Sequence, residues 1–257
     1  MNFTESQILG YVSSFIWPLL RISAMFVAMP LFSIQAVPAR IRLLLSLAIT
    51  FAIMPVLPPF QAIEVFSYEG MIVSVAQIFI GLSIGFIVQM VFSIVLFAGE
   101  SIAASMGLGF AAMVDPQSGQ QAPVIGQLYT ITSTLLFLSL NGHLLLIQML
   151  MDSFTSLPIG ISGLVKTDIW TIITWSGRMF SGGLLLAMPI IISLLLVNIS
   201  FGVAARAAPQ LNIFSVGFPI TLILGMILIW LTLPDALNQF TGILTGSYDL
   251  IGQLLRL

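Results

Sequence analysis

Long uncharged stretches dominate the hydrophobic pattern of this 257-residue chain. An apolar run of about 18 residues or more is long enough to cross a bilayer as a helix. Short segments holding most of the charges separate these runs. No soluble domain can be separated from them, so we expect residues 1–257 to form a single domain. The pattern predicts helices near residues 8–32, 43–57, 70–98, 124–151, 179–204 and 213–233.

The third and fourth predicted helices depart from a simple spanning pattern. Residues 70–98 would form a helix about 43 Å long, well beyond a hydrocarbon core of about 30 Å. This helix must therefore tilt, bend or project from the bilayer. The fourth run contains Asn141, Gly142 and His143 in its interior. Because Asn-Gly pairs favour turns, we expect a break or kink near Asn141.

Composition excludes several function classes. The chain has 7 Lys/Arg and 9 Asp/Glu, or 6% charged residues, and its mean hydropathy is +1.15. A soluble domain carries about 25% charged residues, so a soluble enzyme and a disordered protein are both excluded. Seven basic residues form no stripe for nucleic acid. With no Cys and one His, thiolate and multi-His metal sites are excluded as well. We expect an integral membrane protein, or a subunit buried among other apolar subunits, without a cofactor.

The positive charges give no membrane orientation. Helical membrane proteins normally carry an excess of Lys and Arg on the cytoplasmic side. Six alternating spans place three basic residues on each side, with Arg40, Arg42 and Arg206 on one side and Lys166, Arg178 and Arg256 on the other. Either the assignment of spans is wrong, or the chain does not sit in lipid as a conventional helical bundle.

A glycine-rich apolar segment follows Glu100 and separates the third helix from the fourth. Gly107 and Gly109 disfavour a regular helix, and Asp115-Pro116 forces a turn or an extended residue. Irregular backbone at membrane depth is tolerated only inside protein or along a cavity. This favours a re-entrant or pore-plugging loop over residues 106–122, with a loop at the membrane surface as the alternative. The candidate closure residues are Met106, Gly107, Leu108, Gly109, Phe110, Ala111, Ala112, Met113 and Val114.

Other residues are candidates for structural or interface roles. Arg21 lies inside the first apolar run, where it would form a buried ion pair, contact another subunit, or snorkel to the interface. Pro209, Gln210 and Asn212 predict a structured junction after Arg206. The full set is Arg21, Glu100, Asp115, Pro116, Asn141, Gly142, His143, Arg206, Pro209, Gln210 and Asn212.

One segment is similar to a catalytic motif. The sequence Gly160-Ile161-Ser162-Gly163 resembles the nucleophile turn of intramembrane serine proteases, which needs a His base on a neighbouring helix. The single histidine, His143, lies upstream beside the predicted helix break. We therefore expect no catalytic residues and no enzyme activity.

Three segments together resemble a known family. The sequence GLGFAAMVDP covers residues 107–116, LNGH covers 140–143 with Ser153-Phe154 and Leu157-Pro158 after it, and RAAPQLNIFSVGFP covers 206–219. These segments are similar to the FliR family, a component of the export gate of bacterial flagellar type III secretion systems, with counterparts in injectisomes. The resemblance extends over nearly the whole chain.

The resemblance implies an all-α fold of long apolar helices in hairpins, with an irregular loop that plugs a central pore. One copy would assemble with FliP and FliQ subunits in the bacterial inner membrane, within the flagellar basal body. FlhB would join this complex, and unfolded flagellar proteins would be its cargo. Helical hairpins that need not all cross lipid would also explain why three basic residues fall on each side of the six predicted spans. Two alternatives stay open: an injectisome subunit of the same family, and a secondary transporter of a small solute with its site at the Asn141 break.

Overall fold

The computed structural model describes residues 5–30, 38–58, 63–108, 124–161, 163–207 and 213–257. Within these ranges the regular structure is helical and contains no strand, which confirms the all-α prediction. A single 3-10 turn, Met54–Val56, follows the second helix. The helices are α1 Glu5–Ala28, α2 Ala39–Ile53, α3 Tyr68–Ser105, α4 Val124–Ser139, α5 Gly142–Ser156, α6 Lys166–Ala207 and α7 Ile213–Leu255.

Several helices have the length and apolarity of membrane spans. They are α2 with its 3-10 turn, α3, α6 and the Gly217–Leu255 part of α7. Together, α4 and α5 form a further candidate span that is bent by 62° at the break between them. The expectation of an integral membrane protein is therefore confirmed, with four spans or five if the bent pair is counted as one.

The break between α4 and α5 lies where the Asn-Gly pair predicted it. Asn141 has a left-handed backbone conformation, with φ 56° and ψ 26°. A Cβ atom built on Gly142 would lie 2.5 Å from the Tyr248 hydroxyl oxygen and 2.6 Å from a ring carbon of Phe137. Only glycine fits this position, so the same two residues end one helix and allow the next to start against a close neighbour.

The long helices extend further than the apolar runs predicted. Helix α3 continues to Ser105 instead of ending near residue 98, α6 begins at Lys166 instead of near 179, and α7 ends at Leu255 instead of near 233. The residues that interrupted the runs, Glu100, Arg178 and Asp235, are exposed on helix surfaces. Glu and Arg are good helix formers, and an outward charge does not end a helix. A break in apolarity therefore marked a polar surface position, not a helix terminus.

The chain divides into two compact units. The first unit consists of residues 1–90, 137–175 and 244–257, and the second of residues 91–136 and 176–243. Helices α3, α4, α6 and α7 each contribute to both units, because each of them contains a boundary between the units.

In the first unit, α1 packs closely on the first half of α3 through a GxxxG pair. A Cβ atom on Gly81 would overlap the carbonyl oxygen of Arg21, and one on Gly85 would lie 2.6 Å from the Cβ atom of Ala28. Small residues four positions apart let two helix backbones approach in this way. The GxxxG pair therefore brings α3 directly against the turn of α1 that contains Arg21.

Candidate functional site

Arg21 is fully buried and makes hydrogen bonds to three residues on two other segments of the first unit. Its Nε donates to Oε1 of Gln77 at 2.8 Å, on α3. Its Nη1 donates to both the carbonyl oxygen and Oγ of Ser153, at 2.9 Å each, and Nη2 donates to the carbonyl oxygen of Leu157 at 2.8 Å. One guanidinium therefore joins α1, α3 and the end of α5.

The acceptors around Arg21 are neutral, and two of them belong to a helix terminus. The carbonyl groups of Ser153 and Leu157 lie in and just after the last turn of α5. The Ser153 carbonyl also accepts from the Leu157 N–H at 2.9 Å, so it is shared between this helix-end bond and Arg21. The partial negative charge of a helix C-terminus favours a cation at this position. The guanidinium also lies 4.3 Å above the ring centroid of Phe154, a favourable cation–π distance. The end of α5 and this ring thus take the place of a carboxylate.

The hydrogen bonds place the buried guanidinium of Arg21 inside its own chain, so the side chain does not snorkel. A role at an interface with another subunit stays a prediction. No carboxylate pairs with it in the described part of the chain. The sequence analysis also missed its partners. A lone amide, Gln77, inside an apolar run four residues before Gly81 was the one signal that could have indicated a polar contact there.

The end of α3 is built as a defined helix stop. The N–H of Gly107 donates to the Ala104 carbonyl at 3.1 Å, and the N–H of Leu108 donates to the Ala103 carbonyl at 3.0 Å. With φ 84° at Gly107, these bonds form a Schellman motif. The glycine expected to disfavour helix is therefore the residue that ends α3.

Met106, next to this stop, is held in the second unit. Its side chain is buried and packs against α7, where a Cβ atom on Gly225 would lie 2.6 Å from Cε of Met106. The Thr221 hydroxyl donates to the Met106 carbonyl at 3.4 Å. Gly99 and Gly126 bring α3 and α4 into backbone contact, since a Cβ atom on Gly99 would lie 2.5 Å from the Gly126 Cα atom. The segment between α3 and α4 therefore starts and ends on closely packed helices.

Several predicted residues lie outside the described residues, and others are exposed. Glu100 and Arg206 are exposed on α3 and α6. Of the closure residues, Met106, Gly107 and Leu108 fall within the described part. Those outside it are Gly109, Phe110, Ala111, Ala112, Met113 and Val114, together with Asp115, Pro116, Pro209, Gln210, Asn212 and the Ser162 of the protease-like motif.

His143 lies at the start of α5 beside the ring of Phe137, with ring centroids 6.5 Å apart. Its Nδ1 is buried and has no hydrogen-bond partner among the described residues, and the same holds for the hydroxyl of Tyr248. In the ranges that the structure covers, no cluster of three His, Cys, Asp or Glu residues could hold a metal ion. The described residues therefore provide neither a hydrogen-bonded proton relay at His143 nor a metal-binding cluster.

A family model and several known proteins match this chain over most of its length. The family model described as bacterial export proteins, family 1, matches residues 12–246. The flagellar biosynthetic protein FliR of Escherichia coli strain K12 is 41% identical over 258 residues, covering 99% of this chain and 98% of the relative. FliR of Pectobacterium carotovorum is 36% identical with 99% and 97% coverage, and FliR of Aquifex aeolicus is 32% identical with 83% coverage of each.

These matches support the resemblance seen in the three sequence segments and extend it to nearly the full length. They also agree with the long apolar helices. The chain therefore belongs to bacterial export protein family 1, together with the flagellar FliR proteins, and is a membrane component of the flagellar export apparatus and not an enzyme.

Proposed function

We propose that this chain is a channel subunit of the flagellar export gate, in which one copy assembles with FliP and FliQ subunits and with FlhB. The assembly lies in the bacterial inner membrane, within the basal body. Unfolded flagellar proteins pass through its conduit, and residues 106–122 close the conduit between transport events.

The observation that carries this proposal is the length and exposure of α6. Its 42 residues extend over about 63 Å, roughly twice the thickness of a hydrocarbon core. Only 22% of its apolar window is buried within the chain. A helix this long extends beyond a hydrocarbon core at one end or both, and it carries exposed apolar side chains outside its most apolar stretch, such as Trp170 and Phe180. Lipid alone does not cover such a surface, which favours partner subunits of similar composition.

Helices α2 and α7 add to this uncovered surface. The buried share of their apolar windows is 17% and 22%, against 61% for α3. Large side chains such as Phe51 on α2 and Trp230 on α7 are about three-quarters exposed, at 76% and 74%. Exposed apolar patches of this size mark protein or membrane contacts. Helix α3 therefore acts as the internal support of the chain, and the other long helices face its surroundings.

The anchored ends of the loop support its role as a closure. The Schellman stop at Gly107 and the buried Met106 fix where the loop leaves α3, and the Gly99–Gly126 contact fixes where α4 receives it. A loop with fixed ends and an apolar first part, residues 109–114, can close a conduit and move aside for cargo without moving the helices.

A secondary transporter is less well supported. Such transporters commonly place broken helices in both of two related halves. Within the described ranges one bent helix pair occurs, α4 with α5. The loop therefore remains the better candidate for control of passage.

Deleting residues 109–114 tests the closure. This deletion leaves the helix stop at Gly107 and Leu108 intact, so the assembled complex should form and should leak small ions from vesicles or cells. The matched control deletes residues 59–62, from the segment between α2 and α3, and should not leak. A properly assembled complex whose permeability equals that of the wild type would contradict the closure.

A further inference from the structure

Helices α6 and α7 of the second unit line an open surface pocket of about 340 Å³. Helix α6 contributes the apolar side chains of Leu186 and Pro189, and α7 contributes Thr232, Asp235, Asn238 and Gln239. The α7 residues follow a spacing of three to four positions, so they share one face of that helix. These residues form a polar surface on a helix whose preceding half is strongly apolar.

The polar groups of this pocket are free to bind a ligand. Asp235, Asn238 and Gln239 are exposed. Across the residues that the structure describes, none of these three side chains forms a hydrogen bond or an ion pair. The Thr232 hydroxyl donates to the Leu228 carbonyl at 2.9 Å and also interacts with the Tyr129 hydroxyl, so it is not one of the free groups. The pocket therefore offers one carboxylate and two neutral amide oxygens as acceptors.

The surroundings of the pocket are apolar and exposed. Leu231 lies one helical turn before Asp235 on α7 and is 59% exposed, and Leu185, next to Leu186 on α6, is 64% exposed. An unpaired carboxylate among such residues is costly once lipid or another subunit covers them, because its charge loses water without gaining a partner. A cation on whatever covers this face would remove that cost.

We propose that this pocket binds the side chain of a lysine or arginine presented by an apolar helix of a partner subunit in the export gate. This inference rests on the proposed function, which supplies the partner. Asp235 pairs with the positive charge, and the side-chain oxygens of Asn238 and Gln239 accept its remaining donors. Charge complementarity at the centre and apolar contact around it are the usual arrangement of a protein interface.

The geometry favours a protein side chain over other cations. A pocket of about 340 Å³ has the volume of a binding cleft for an extended group, larger than a single ion needs. Calcium requires six to eight oxygen ligands, typically with more than one carboxylate, and Asp235 is the one carboxylate here. The exposed apolar residues beside the pocket match a helix better than a hydrated ion.

The test compares Asp235→Asn with Asp249→Asn, each co-expressed with the FliP and FliQ type subunits of the same organism. Asp249 is an exposed carboxylate of α7 outside the pocket and is the matched control. Recovery of the complex should fall about tenfold or more for Asp235→Asn, since loss of one member of a buried charge pair is costly. Recovery should be unchanged for Asp249→Asn. Asp235→Glu, which keeps the charge, should restore part of the recovery.

A photo-reactive amino acid at Gln239, with Asp235 unchanged, identifies the occupant even if Asp235→Asn fails to fold. The expected adduct joins this chain to a partner subunit next to a Lys or Arg. An adduct with a second copy of this chain, or with a lipid, would overturn the inference. So would equal recovery of Asp235→Asn and wild type, while the proposed function would stand because the complex forms. If the wild type forms no complex at all, both fail.

Discussion

Arg21 carries a full charge in an apolar interior without a carboxylate beside it. Its donors end on Gln77, Ser153 and Leu157, and its plane faces Phe154. The sequence identified Arg21 as unusual because charges are rare in apolar runs. It could not identify the partners, which lie 56 to 136 residues away along the chain. Carbonyl acceptors at a helix end also carry no residue signature, so only the packing of α1, α3 and α5 reveals them.

Removing the guanidinium group of Arg21 should destabilise the chain. Arg21→Ala leaves the Gln77 and Leu157 acceptors without a donor, at about 1–3 kcal/mol for each buried group. Arg21→Lys keeps the charge but cannot reach all three partners, so it should be intermediate in stability. Thermal unfolding of the purified protein in detergent measures this. The control is Arg206→Ala, an exposed change expected to stay within about 0.5 kcal/mol. Equal stability of Arg21→Ala and Arg206→Ala would contradict the role of Arg21.

Gly142 should tolerate no side chain. Gly142→Ala places a methyl group against the Tyr248 hydroxyl and the Phe137 ring, and overpacking of this kind costs about 1–3 kcal/mol. Adding Tyr248→Phe removes the nearest atom and should recover part of the loss in a melting experiment. Gly177→Ala is the control, because no atom lies within 4 Å of its Cβ position and Ala is the better helix former by about 1 kcal/mol. A melting temperature of Gly142→Ala at or above that of Gly177→Ala would refute the close contact.

At the scale of the elements, the sequence predicted the existence of the long helices but not their lengths. An apolar run shows where a helix can face lipid or the protein interior. The exposed residues Glu100, Arg178 and Asp235 interrupt the apolar runs, but the helices continue through them. Asn141 and Gly107 were predictable, because each needs an unusual backbone conformation that its residue type allows. Local chemistry therefore predicted the breaks, while the surface charges misled the assignment of helix ends.

The stop of α3 should depend on glycine at position 107. Gly107→Ala forces a side chain into a left-handed conformation at a cost of about 1–2 kcal/mol. Gly107→Asn should cost less, since Asn tolerates this conformation. Hydrogen exchange at the Leu108 amide, which donates to Ala103, should accelerate in the Ala variant and less in the Asn variant. Gly202→Ala, with open space around its Cβ position, should leave that amide unchanged. Unaltered exchange at Leu108 in Gly107→Ala would show that the motif does not hold the helix end.

At the scale of the whole molecule, the composition and the three family segments already predicted a membrane protein of the export family. Sixteen charged residues in 257 exclude a soluble surface, and the family matches extend over most of the chain. The sequence could not predict which apolar helices are exposed, because apolar residues have the same composition whether they pack inside the chain or face outward. The structure resolves this by burying α3 while leaving α2, α6 and α7 mostly uncovered. The molecule is built as a component whose surface other subunits complete.

The most direct test of that account is the native mass of the chain after mild detergent extraction, expressed alone and together with FliP and FliQ type subunits. We expect a low yield alone, and one copy of this chain within a large complex when the partners are present. A stable monomer or homodimer whose yield and mass ignore the partners would contradict the account, because its apolar helices would then need no other subunit to cover them.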